Sequence, residues 1–164
     1  FKEALQKGIR SLEIGKFGLE TILFKASPTN IKIDNKILEK IYQKLRIPNA
    51  ERIFYIGDAF RMGIDLEEIY LLTKIDRWFL YNIKEIIDFE KELLKNRNNL
   101  NRELLLSAKQ LGFSDRQIAK LLGKTEEDIY NLRKEMNIIP DFKMVDTCAA
   151  EFKAFTPYYY STYS

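Results

Sequence analysis

Apolar residues recur at three- and four-residue spacing along most of this chain, and helix stops interrupt the pattern at short intervals. Such spacing lays an apolar stripe along each of several short helices, and packing helix on helix buries those stripes. Leu5, Ile9 and Leu12 carry the first stripe, which Gly15 ends. A loop breaks at Ser27-Pro28-Thr29-Asn30. Asp34 is an expected N-cap for a helix bearing Ile37, Leu38, Ile41 and Leu45, which must stop before Pro48. Asn49 can cap the next helix, with Ile53, Ile56 and Phe60 on one face and Gly63 as its stop. Asp65 and Glu68 are spaced as a capping pair. Asp76 opens a long helix reaching about Leu94, with Phe79, Leu80, Ile83, Ile86 and Ile87 inward. After the polar "KNRNN", Asn101 opens another helix, closed by Gly112.

Beyond Asn137 the helical period fades. Pro140 and Pro157 bracket an aromatic-rich stretch that cannot be one continuous helix and reads as extended chain. The expected fold is mainly α: an irregular multi-helix domain over 1–140 with a helix-turn-helix-like corner, then an extended connector over 141–164. Phe142, Val145, Phe152 and Phe155 give the connector apolar surface, so its first part is expected to dock on the helical body and bury Cys148.

The 164 residues suffice for one domain or two small ones, and at 46% apolar they can form a core. The formal charge is only +3, with acids and bases interleaved, whereas dedicated nucleic-acid binders concentrate positive charge. There is no histidine, which removes histidine acid–base chemistry, Ser-His triads and histidine metal ligation from this chain. The one cysteine, Cys148, cannot form an internal disulfide, which fits a reducing compartment: the cytoplasm, with an organellar matrix as the alternative. No apolar run is long enough to span a bilayer.

The corner itself is "FSDRQIAKLLGKTEEDIYNLRKE", 113–135. Ser114 with Gln117, and Thr125 with Asp128, are spaced as capping boxes. Gly123 stands where a left-handed turn is needed, and Ala119, Ile129 and Leu132 supply the contacts of the corner. None of these features specifies DNA. The groove-entering end of the second helix would be Glu126-Glu127-Asp128, and three carboxylates oppose binding to phosphates. Arg133 and Lys134 come too late in the helix to read bases easily. Charge placement therefore favours packing, with a small nucleic-acid-binding module as the alternative.

"IDRWFL" (Ile75 to Leu80) is either an interaction motif or a capped helix start with Trp78 and Phe79 in the core, and core filling is the expectation. "GDAFRMG" lacks phosphate-loop spacing. Cys148 has no histidine to activate it. Tyr158-Tyr159-Tyr160 can pack alternate rings on both sides of an extended segment. Tyr70, Leu71 and Leu72 put apolar side chains on more than one face of a short helix, as expected of a self-associating surface.

Taken together, "SLEIG", "RIFYIGDAFRMG", "LLTKIDRWFL", "GFSDRQIAKLLG", "KMVDTCAAEF" and "TPYYYSTYS" resemble the large chain of carbamoyl phosphate synthetase, in order along the sequence. The stretch from Glu20 to Ile33 is outside the resemblance. The matching positions include Asp58, Arg61, Asp76, Arg77, Trp78, Asp146, Thr147, Cys148, Glu151, Tyr160, Ser161 and Tyr163, with structural rather than catalytic roles implied. The resemblance implies the helical oligomerisation domain between two ATP-grasp halves, one forming carboxyphosphate and the other carbamoyl phosphate. It places ATP and magnesium or manganese in those halves and no cofactor here. The implied parent is an ATP-dependent ligase serving arginine and pyrimidine synthesis, supplied with free ammonia or with ammonia from a glutamine-hydrolysing small chain. The implied partners are the flanking halves, that small chain and a second copy, with no nucleic acid and no membrane. The corner then reads as a packing corner of a scaffold.

Overall fold

A computed structural model describes residues 1–24, 34–148, 151–153 and 157–163. Its helices are α1 (Lys2–Ser11), α2 (Asn35–Arg46), α3 (Arg52–Arg61), α4 (Leu66–Thr73), α5 (Arg77–Lys95), α6 (Arg102–Gln110), α7 (Asp115–Leu122) and α8 (Glu126–Glu135). Two short strands, β1 (Asp141–Met144) and β2 (Tyr159–Thr162), pair antiparallel with Asp141 opposite Thr162 and Met144 opposite Tyr159. The mainly α reading holds. The expected break at Ser27–Asn30 and the expected packing of Phe155 lie outside the described residues.

The caps form where short-range chemistry demands them. Asp34 accepts from Lys36 N, Asp76 from Trp78 N, and Asn101 from Leu104 N. Thr125 and Asp128 complete a reciprocal capping box. Gly123 adopts φ 67° and closes α7, as a residue without Cβ can do at little cost. Three expected caps differ. Asn49 lies three residues before the start of α3, where its amide donates to the Lys44 and Ile47 carbonyls and so closes the α2–α3 turn. Asp65 caps α4 through Glu67 N, but Glu68 is drawn away to the Tyr42 hydroxyl. Ser114 accepts from Gln117 N, while the Gln117 side chain turns inward to donate to Gln6 Oε1.

Helix α5 is the central strut, touching α1, α3, α4 and α7. Leu80, Ile83, Ile86, Ile87 and Leu93 on its inner side are buried, as are Ile41 and Leu45 of α2, Phe54, Ile56 and Phe60 of α3, and Ile118 and Ile129 of the corner. Burying each such side chain contributes about 1.5–3 kcal/mol. Phe89 of α5 meets Phe113, with ring centroids 5.9 Å apart, which ties the strut to the corner.

The tail is extended, but it docks by its other end. All of β1 is exposed, with Phe142, Met144, Val145 and Phe152 turned to solvent, and Cys148 is only half-buried. It is Thr162 of β2 that is buried. Thr162 donates its hydroxyl to Glu3, Lys7 donates to the Ser161 carbonyl, and Gln110 donates to the Tyr163 carbonyl. Phe142, Val145 and Phe152 have the composition of anchors, but they face solvent. Hydrogen bonds at the far end of β2 carry the docking instead.

Candidate association surface

Two groups of residues stand out: a buried ionic knot and an exposed aromatic patch. In the knot, the Arg61 side chain is 2% exposed. Its Nε donates to Glu90 Oε1 at 2.9 Å and its Nη2 to Glu90 Oε2 at 2.6 Å, a bidentate fork. Nη1 donates to Asp58 at 2.9 Å and Nη2 also to the Leu19 carbonyl at 2.6 Å. Asp58 in turn accepts from the backbone N–H groups of Ile22 and Leu23. Burial alone would lower the Arg61 pKa, but Glu90 and Asp58 hold it above the ordinary value. The knot therefore fixes an irregular segment, 19–23, against α3 and α5. Glutamine bonds fix it from the other side: Gln6 accepts from Leu19 N, and Gln6 Nε2 donates to the Leu111 carbonyl. Every polar group here has a structural partner, so the knot is read as framework.

The patch lies at the start of α5. Trp78 is 56% exposed and Phe79 44%, against the expectation that both fill the core. Trp78 lies off the side of α5 that carries Leu80, Ile83, Ile87 and Glu90. Phe79 lies on that side but in the first turn, where Phe1, itself 45% exposed, packs against it. Phe1 meets Trp78 edge-on at 5.2 Å and Phe79 at 5.4 Å, and Trp78 meets Phe79 edge-on at 5.0 Å. Tyr81 is exposed one residue beyond Leu80. Beside the patch, Arg77 forks onto Glu67 at 2.7 and 2.8 Å and stacks over Tyr70 at 3.6 Å. That bond pulls Glu67 below the usual carboxylate range. On α4, Leu71 is exposed, while Tyr70 and Leu72 are partly buried. Aromatic rings held against one another at low entropy cost are the residues that dominate protein interfaces.

The other sequence candidates are scattered. Asp58 and Arg61 are in the knot, Asp76 caps α5, and Arg77 and Trp78 flank the patch. Asp146 accepts from Cys148 N, Thr147 Oγ1 lies 3.8 Å from Cys148 Sγ, and Cys148 O accepts from Glu151 N. These contacts join the four residues locally. Tyr158, Tyr159 and Tyr160 are exposed rather than packed on both sides. Ser161 and Tyr163 line a cleft against α1 and α6. Sequence reasoning missed Phe1, Glu90 and the Gln6–Gln117 pair. A signal for the knot did exist: Asp58 and Arg61 stand three apart in a helix otherwise buried along its length.

The corner presents acidic side chains at the end of α8 that would have to enter a DNA groove. Glu126 and Glu127 are exposed at the N-terminus of α8, and Asp128 is committed to its cap. Arg133 is buried, bonded to Asp115 and to the Ile138 carbonyl. Among the described residues no group of three or more carboxylate or thiol ligands could hold a metal ion. No helix among them is long and apolar enough to cross a membrane.

Comparison with known proteins adds a family to this picture of a helical body. Residues 1–137 match the family model of the carbamoyl-phosphate synthetase large chain, oligomerisation domain. The chain is 52% identical over 99% of its length to the carbamoyl phosphate synthase large chain, N-terminal section, of Aquifex aeolicus, covering 27% of that protein. It is 46% identical to the large chain of Archaeoglobus fulgidus, covering 15%, and 49% identical to that of Thermotoga neapolitana, covering 13%. It thus spans about a quarter or less of these relatives. The chain belongs to the carbamoyl phosphate synthetase large-chain family, and residues 1–137 are its oligomerisation domain.

Proposed function

We propose that this domain is a non-catalytic scaffold that self-associates through the Phe1–Trp78–Phe79 patch and links the carboxyphosphate-forming and carbamoyl-phosphate-forming halves of the large chain. The parent enzyme makes carbamoyl phosphate from bicarbonate, ATP and ammonia, free or delivered from glutamine by a small chain. Residues 1–140 are the scaffold, and 141–164 run toward the second half. ATP and its magnesium or manganese belong to the flanking halves, and this chain alone turns over neither ATP nor bicarbonate. A reducing compartment suits its single thiol.

The observation that carries the reading is the exposed three-ring patch on a domain whose family is built for oligomerisation. Symmetric dimers are the commonest closed assembly, and a two-fold contact would set one patch against its copy. Trp78 is the one tryptophan in the chain, so its emission reports the patch alone. Raising the protein concentration should shift that emission to the blue as the ring leaves water. An emission maximum that stays constant while the chain associates would place the contact elsewhere.

A further inference from the structure

A cleft of about 200 Å³ lies between α1, α6, the turn into α7 and the end of β2. It is too small for a nucleotide, since pockets for drug-sized ligands run from about 300 Å³ upward. Lys7, Arg10 and Lys109 bring cations to it; Glu3, Asp115 and Glu126 bring carboxylates. The carboxylates are unevenly shared. Glu3 pairs with Lys7 at 2.7 Å and accepts from Thr162. Asp115 serves two cations, Lys109 at 2.7 Å and Arg133 at 3.1 Å. Glu126 is exposed at the rim and makes no ion pair among the described residues.

Arg10 is the cation left over. It donates from Nη1 to the Gly112 carbonyl at 2.8 Å and has no carboxylate within ion-pair distance among the described residues. A guanidinium carries five N–H donors in a planar fork suited to an oxyanion. Burial also lowers the pKa of both Arg10 and Lys109; Glu3 opposes this at Arg10 from beyond ion-pair distance, Asp115 opposes it at Lys109, and Arg133 and Arg10 add repulsion at Lys109. Arg10 and Arg133 thus each act on Lys109, and Asp115 is the only carboxylate among the described residues that forms an ion pair with any of the three.

We propose that this cleft binds a small oxyanion, gripped by Arg10 with Lys7 and Lys109 beside it. The proposal is independent of the association reading, since the aromatic patch lies outside the cleft. The test is titration of the 164-residue chain with inorganic phosphate and, separately, with acetate, following the Gly112 and Phe113 backbone amides by NMR. Sodium chloride at matched ionic strength is the control. The expected result is a saturable shift with at least one oxyanion and none with chloride. Which oxyanion acts identifies the class. Arg10→Lys keeps the charge and a donor for Gly112 but loses the fork, and should weaken binding about tenfold, with Lys7→Gln weakening it less. Responses that match chloride, or saturable binding that both variants leave unchanged, overturn the proposal.

Discussion

Replacing Arg61 with methionine tests whether the ionic knot holds the fold. The substitution keeps much of the side-chain length and removes the guanidinium bonded to Asp58 and Glu90, both buried. Breaking a buried ion pair by removing one partner costs about 3–5 kcal/mol, well above the worth of an exposed pair. In a chain of this size a loss of that order lowers the melting midpoint by roughly 10 °C. Thermal unfolding followed by circular dichroism measures it. One further outcome separates this cause from simple loss of packing. The double variant Arg61→Met with Glu90→Met removes one of the two buried carboxylates as well, and should recover part of the loss. A single variant melting within about 2 °C of the parent, equivalent to less than about 1 kcal/mol, would refute the reasoning.

Gly112→Ala should cost about 3 kcal/mol, because φ is 90° and the new Cβ would lie 2.8 Å from the Glu3 Cα. Gly123→Ala meets open space and should cost about 1–2 kcal/mol from backbone strain alone; chemical denaturation compares the two. Burial lowers the Lys109 pKa, so Nζ-resolved NMR should find its midpoint below that of a free lysine. Between the folded and unfolded midpoints the unfolded chain binds the extra proton, so this group makes stability rise with pH in that alkaline window. Trp78→Ala should change stability by only about 1 kcal/mol, since little more than edge contacts with Phe1 and Phe79 is lost.

Features that depend on neighbours in sequence were legible. Asp34, Asp76, Asn101, Thr125 and Gly123 act within four residues of themselves, and each stands where the sequence puts it. The inner side of α5 was also legible, because one period runs unbroken from Leu80 to Leu93. What failed depends on distant partners. Nothing near Glu90 announces Arg61, and nothing near Leu19 announces Gln6. Gln117 has the right spacing to complete a cap, but a buried amide partner claims it. Trp78 and Phe79 have core-like composition, yet a helix's first turn extends past the layer that would bury them. The strand pairing joins residues 15 or more positions apart, across a connection with no turn signature.

Sedimentation of the parent chain and of Trp78→Ala across a wide concentration range tests the association claim most directly. The account predicts that the parent forms a reversible assembly that dissociates on dilution, while the variant stays monomeric with a melting midpoint within a few degrees of the parent. Equal association by both chains, or monomers from both at every concentration, would contradict it.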